Sequence, residues 1–168
     1  MLDYNIFFPY TKVRPEQRKA IEFAIKAIED SKKRFIIIEA GTGVGKSAVG
    51  LTLCRYLEQS IENQEGFAQG GYFLTTQKIL QSQYEKDFGQ PRGVMKSVYS
   101  SSNYRCKFHR GNDCRTSQQM LRTADRKSAF FKACAGTCRY KNAKRAFLES
   151  PESVTNFPYF LTEATYSG

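Results

Sequence analysis

The apolar positions of this chain follow two kinds of repeat, separated by a stretch that follows neither. After Pro15 the residues Ile21, Ala24, Ile25 and Ile28 return every three or four positions, which puts them on one face of a helix. Pro15 suits the first turn of that helix, where a missing N–H costs nothing. Phe35-Ile36-Ile37-Ile38 is a continuous apolar run. It predicts a central strand over 34–40, since a β-branched run without alternation fits burial on both faces. From 45 to 60 the helical period returns, with Val49, Leu53, Tyr56 and Leu57 inward and Cys54 packed as a small hydrophobe. Residues 61–70 read as a loop, Tyr72-Phe73-Leu74-Thr75 as a second strand, and Thr76 as the cap of a helix carrying Ile79, Leu80 and Tyr84. Strand, helix, strand, helix in this order predicts an α/β fold on a parallel sheet with flanking helices.

From about 90 to 145 the rhythm fails. Gly93, Ser97, the run Ser100-Ser101-Ser102 and Asn103 interrupt it, and four of the five cysteines fall here. A helical pattern resumes over 141–148 with Ala143, Ala146, Phe147 and Leu148, and residues 153–157 predict another strand. The irregular segment is also where the charge lies. Residues 86–145 hold 15 Lys/Arg against three acids, a net +12, whereas the rest of the chain holds 11 basic and 13 acidic residues, a net −2. Solubility does not require such segregation, and a polyanion-binding surface does. At 168 residues the chain suits one domain, or one domain with a small insertion. No apolar run approaches the roughly 20 residues that cross a bilayer, and residues 1–4 lack the basic and apolar regions of a secretory signal. The expected location is the cytosol or nucleoplasm, with no membrane partner.

Between the first strand and the helix after it stands Glu39-Ala40-Gly41-Thr42-Gly43-Val44-Gly45-Lys46-Ser47. Glycines 41, 43 and 45 allow the backbone to fold into a nest of N–H donors around a di- or triphosphate, and the helix that follows aims its positive end at the same charge. Thr42 and Val44 complete the loop. Lys46 is positioned to reach the β- and γ-phosphates, and the Ser47 hydroxyl to bind Mg²⁺. Ala40 occupies the first position, where the general pattern has glycine. Gln17, 29 residues before Lys46, offers the paired donor and acceptor that fit the N6 and N7 edge of adenine.

The cysteines of the irregular segment, Cys106, Cys114, Cys134 and Cys138, are spaced C-x7-C-x19-C-x3-C. A disulfide framework does not suit a cytosolic nucleotide-binding protein, so metal ligation is the better reading. The spacing fits neither paired zinc knuckles nor the ferredoxin runs, and leaves zinc and an iron–sulfur cluster both open. His109, the one histidine, is expected as an exposed imidazole.

Taken together, these pieces resemble the iron–sulfur superfamily 2 DNA helicases of the xeroderma-pigmentosum group D type, including the DinG-like branch. The resemblance rests on Phe8-Pro9-Tyr10 with Arg14-Pro15-Glu16-Gln17, on the loop 39–47, and on Thr75-Thr76-Gln77 with Leu80 and Gln83. It continues through Ser102 to Cys106, Cys138-Arg139-Tyr140 and Asn156-Phe157-Pro158-Tyr159. It implies a partial RecA-like P-loop domain: a first motor part over 1–95, an iron–sulfur insertion over 96–145, and a return to the motor over 146–168. It also implies ATP and Mg²⁺ at the loop, a [4Fe–4S] cluster on the four cysteines with zinc as runner-up, and movement 5′ to 3′ on single-stranded or forked DNA. DNA contacts are expected from Thr75, Gln77, Tyr104, Arg105, Lys107 and Arg110, with Tyr104 or Phe108 offering a ring for a base. No Asp-Glu-Ala-His box occurs. In the family that box follows soon after the region matching 156–161, so the resemblance implies an N-terminal part whose partner is the C-terminal half of the same motor, inactive alone. The alternative is a non-catalytic, zinc-loaded nucleic-acid-binding module in which nucleotide at the loop acts as a structural switch.

Overall fold

The computed structural model describes residues 2–30, 33, 35–60, 70–89, 94–136 and 138–166. The chain divides into two compact units, Met1–Gly70 and Gly71–Gly168. The predicted loop over 61–70 lies, apart from Gly70, outside the described residues.

The first unit is helical. A single 3₁₀ turn, Tyr4–Phe7, is capped by the Asp3 carboxylate, which accepts from the Asn5 N–H at 3.0 Å. Helix α1 spans Pro15–Glu29, with Pro15 in its first turn as the sequence predicts, and α2 spans Lys46–Ser60. They pack through Ile21, Ile25, Ala48, Val49 and Tyr56, closed by Phe8. The helical spacing of these side chains drives the packing, since each helix buries its apolar stripe against the other.

The central strand predicted over 34–40 is not observed among its described residues, 35–40; residue 34 lies outside the described residues. Residues 35–40 belong to no strand, and Phe35 and Ile37 are 87% and 88% exposed. Exposure alternates along them, the period of a strand without its ladder. The strands among the described residues all lie in the second unit.

The second unit is built on a three-stranded parallel sheet of order β1-β3-β2, where β1 is Gly71–Thr75, β2 is Lys96–Ser97 and β3 is Glu152–Asn156. Gly71 stands opposite Glu152 and Thr75 opposite Asn156, while Lys96 and Ser97 stand opposite Ser153 and Val154. The central strand β3 is buried although much of it is polar. Its hydroxyls have partners: Thr155 Oγ1 donates to Val98 O at 2.7 Å and Ser153 Oγ to Phe147 O. Helix α3, Lys78–Gly89, follows β1, and its buried Gln81 amide also donates to Val98 O at 2.8 Å.

Among the described residues, a 3₁₀ turn (Ser101–Asn103) and three α-helices lie between β2 and β3: α4 (Cys114–Met120), α5 (Ala129–Gly136) and α6 (Arg139–Glu149). Asp113 caps α4 by accepting from the Thr116 N–H at 2.7 Å. Val98, Cys114, Tyr140 and Phe147 form a small core there. Helix α7, Phe157–Tyr166, takes Phe157 from the end of the predicted strand and covers residues beyond it to which the apolar pattern assigned no element, and Asn156 Oδ1 opens it by accepting from the Tyr159 N–H at 2.9 Å.

Candidate functional site

In the first unit the loop 39–47 joins the extended segment to α2. Gly43 and Gly45 adopt φ of +84° and +85°, values that side-chain-bearing residues avoid, whereas Gly41 needs no such conformation and has open space around it. Three side chains hold the loop through its carbonyls. Lys46 Nζ donates to Ala40 O at 3.0 Å and Gly41 O at 2.9 Å, the Arg14 guanidinium donates to Gly43 O at 3.1 Å, and Gln17 Nε2 donates to Val44 O at 2.9 Å. Gln17 is buried, and its Oε1 accepts from the Arg14 N–H at 2.9 Å. A cavity of about 650 Å³ opens beside the loop, lined by Gly41, Val44 and Lys46 together with apolar side chains of α1 and α2. Thr42 is exposed and Ser47 half-buried. Cys54 is buried in α2, as the sequence predicts.

In the second unit Cys106, Cys114, Cys134 and Cys138, scattered over 33 positions, line one small cavity of about 40 Å³ together with Tyr104, Phe130 and Tyr140. A tetrahedral ion with metal–sulfur bonds of about 2.3 Å needs sulfurs about 3.8 Å apart. Cys114 Sγ and Cys138 Sγ, at 3.7 Å, meet this spacing. Among the described residues no three His, Cys, Asp or Glu side chains stand close enough to hold one ion. Four thiols lining one space are the kind of donor that soft metals take. Burial raises the Cys114 and Cys134 thiols, and the neighbouring cysteines push the same way. At Cys106 burial also acts to raise the pKa, but hydrogen bonds from the His109 N–H, Ser117 and the Phe108 N–H outweigh it and favour the thiolate.

The expected DNA contacts divide. Arg105, Lys107, Arg110 and Gln77 are exposed. Thr75 is buried, and its hydroxyl donates to Gln77 O at 3.1 Å. Tyr104 is half-buried: its hydroxyl accepts from the Tyr99 N–H at 3.1 Å and its ring lies 5.5 Å from that of Tyr140. It forms part of the cysteine cavity wall. His109 departs from expectation, being half-buried with its ring 4.4 Å from Phe130. Two apolar rings flanking His109 in sequence or space draw it in, which the surrounding basic residues obscure.

A second cavity in this unit, of about 670 Å³, lies at the carboxyl ends of the parallel strands, bordered by Lys78, Arg115, Tyr140, Tyr159 and Glu163. Apolar periodicity gives no signal for these residues. Arg115 follows Cys114 directly in the chain.

A glycine-rich loop before a helix, and a small parallel sheet with flanking helices, define an α/β protein compatible with a partial RecA-like domain. Residues 10–150 match the family described as type III restriction enzyme, res subunit, and the chain belongs to that family. It is thus a helicase-like superfamily 2 N-terminal domain, an ATP-dependent nucleic-acid-binding type. No curated protein and no solved structure matches it significantly. Among the described residues no helix is long and apolar enough to cross a membrane.

Proposed function

We propose that the chain is the ATP-binding N-terminal part of a DNA helicase of the iron–sulfur type, with motor over 1–95, cysteine insertion over 96–145 and return to the motor over 146–168. The observation that carries this reading is the gathering of Cys106, Cys114, Cys134 and Cys138 on one cavity within a helicase-like chain. In this reading the N–H groups of Gly41 to Ser47 receive the phosphates of ATP, and Lys46 exchanges its two carbonyl partners for them. Ser47 holds Mg²⁺, and Gln17 leaves Val44 to meet adenine, so nucleotide entry and loop shape are coupled. A [4Fe–4S] cluster, when bound, ties four distant points of the insertion together. The exposed Arg105, Lys107 and Arg110 then present charge to single-stranded or forked DNA, with 5′ to 3′ movement in company with the second half of the motor.

The test is anaerobic purification followed by absorption spectroscopy and assay of iron and acid-labile sulfide. Brown protein with about four irons per chain is expected, and Cys106→Ser, Cys114→Ser, Cys134→Ser and Cys138→Ser each lose the colour while Cys54→Ser keeps it. Colourless protein with one zinc supports the second reading, a zinc-loaded nucleic-acid-binding module. The 3.7 Å separation of Cys114 and Cys138 favours that alternative.

A further inference from the structure

Helix α1 ends at Glu29, and the chain that leads from it to the phosphate loop leaves one side free. The Lys33 N–H donates to Asp30 O at 2.8 Å, which turns the chain out of the helix. From there exposure alternates: Lys33, Phe35, Ile37 and Glu39 are exposed, whereas Ile36, Ile38 and Ala40 are half-buried. Residues two apart share one face of an extended chain. The free face therefore presents, in order, a cation, an aromatic ring, a branched aliphatic chain and an anion. Phe35 and Ile37 are the two most exposed large apolar side chains among the described residues. Among those residues the main chain of 35–39 makes no hydrogen bond, and neither Lys33 nor Glu39 has an ion-pair partner. Apolar surface continues beside the segment, where Phe23, Val49 and Leu53 line one cavity with Ile37 and Ile38.

An edge with unpaired main-chain groups is a template for another strand, and the order of charges on this face selects which strand. Reversed in direction, the face is its own complement. We propose that residues 35–39, with Lys33 at the rim, pair antiparallel with the same residues of a second copy of this chain, the two-fold axis passing through Ile36. This register sets Lys33 of each copy opposite Glu39 of the other and Phe35 opposite Ile37. Opposite charges, and an aromatic ring against a β-branched chain, are the cross-strand pairs that stabilise a ladder. Moving the axis to Phe35 or to Ile37 sets Lys33 against Ile37 or Phe35 against Glu39, which desolvates a charge on an apolar neighbour. An axis between residues brings the exposed face of one copy onto the half-buried face of the other. Parallel pairing in register puts lysine beside lysine and glutamate beside glutamate, which repels. The contact uses the same patch on both copies, so it closes at two chains. It requires neither nucleotide nor metal.

The experiment is sedimentation velocity of the 168-residue chain over a concentration series. Reductant is present throughout, so that cysteines cannot join the copies. A seam of two short strands is small beside the roughly 1,200 Å² of a standard interface, so a reversible monomer–dimer equilibrium is expected rather than a permanent dimer. Lys33→Glu and Glu39→Lys each place like charges together at both ends of the seam, and each is expected to raise the dissociation constant at least about ten-fold. The double variant, Lys33→Glu with Glu39→Lys, restores attraction at both ends and returns the constant to within about two-fold of wild type, a non-additivity that only paired residues show. Both positions are exposed, so the reversals leave the fold intact, and recovery in the double variant separates lost pairing from lost folding. Wild type that stays monomeric across the series overturns the proposal, and so do species larger than a dimer. A dimer that neither single reversal weakens forms through another face and overturns it equally, as does a double variant no tighter than the singles.

Discussion

Lys46 and Gly45 carry opposite kinds of constraint in the same loop, and substitution separates them. Removing the Lys46 ammonium deletes a charge-assisted contact to phosphate worth about 1.5–3 kcal/mol, so Lys46→Ala is expected to weaken ATP binding by at least about ten-fold, read by calorimetric titration. Unchanged affinity would remove Lys46 from the site. Gly45 is constrained by the fold itself. Its φ of +85° costs an alanine about 1–2 kcal/mol, and the added Cβ would stand 2.4 Å from Gln17 Nε2. The amide could swing away only by giving up Val44 O, a further loss of about 1 kcal/mol. Gly45→Ala is therefore expected to destabilise the protein by about 2–3 kcal/mol, whereas Gly41→Ala, with open space and no left-handed backbone, changes stability by no more than about 0.5 kcal/mol. Urea denaturation of the two variants checks the contrast. Equal losses would mean that the Gln17 contact does not hold the loop.

Among the elements, α4 and α5 fall in the stretch where the apolar pattern fails, whereas helices α1, α2, α3 and α6 and the strands β1 and β3 were legible from it. Residues 35–40 were not, because their pattern specifies a strand but cannot specify a partner, and a ladder needs both. Strand β2 escaped because two residues make no pattern, and α7 because Phe157, Pro158 and Leu161 stay exposed, which mixes apolar residues into its outer face. What holds α7 to α6 is polar. Glu163 accepts from Tyr140, pairs with Lys144 and lies beside Tyr159; burial acts to raise its pKa, but the Lys144 ammonium and the two tyrosine hydroxyls outweigh it and hold the carboxyl below its ordinary value. A carboxyl with a depressed folded pKa stabilises the fold above its unfolded pKa of about 4.3, and that contribution is lost as pH falls through the folded value. Wild type is thus expected to exceed Glu163→Gln at pH 7 by up to about 1 kcal/mol, since the pair is partly exposed. The gap closes on acidification from about pH 4.3 downward. Thermal melts across pH 3 to 7 check it, and a gap independent of pH would show that the carboxylate charge is not what joins the two helices.

At the scale of the whole molecule the clearest feature is charge. The +12 of residues 86–145 was visible in the sequence, but which of those cations share a surface was not, because loops and short helices bring them together without a period. Arg105 and Lys107 flank Cys106, line the cysteine cavity and remain exposed at their tips, and the backbone bridge from Arg105 to Asp113 ties that segment to the start of α4. Cations held on one surface neutralise neighbouring phosphates together and release their counterions, so affinity for a single strand falls linearly with the logarithm of salt, by about 0.7 unit per phosphate contacted. Replacing Arg105 and Lys107 together by alanine is expected to flatten that slope by roughly one to two units if both meet phosphate. The change should be the same for oligonucleotides of different sequence, because backbone contacts carry no base information. ATP affinity should not change, since the phosphate loop belongs to the other compact unit. Anisotropy of a labelled oligonucleotide over a salt series, beside an ATP titration of the same variant, separates the outcomes. A slope left at the wild-type value would make these two cations solvated neighbours of the cysteine cavity, and the excess charge would have to act through Arg110, Arg115 or the cations of α6.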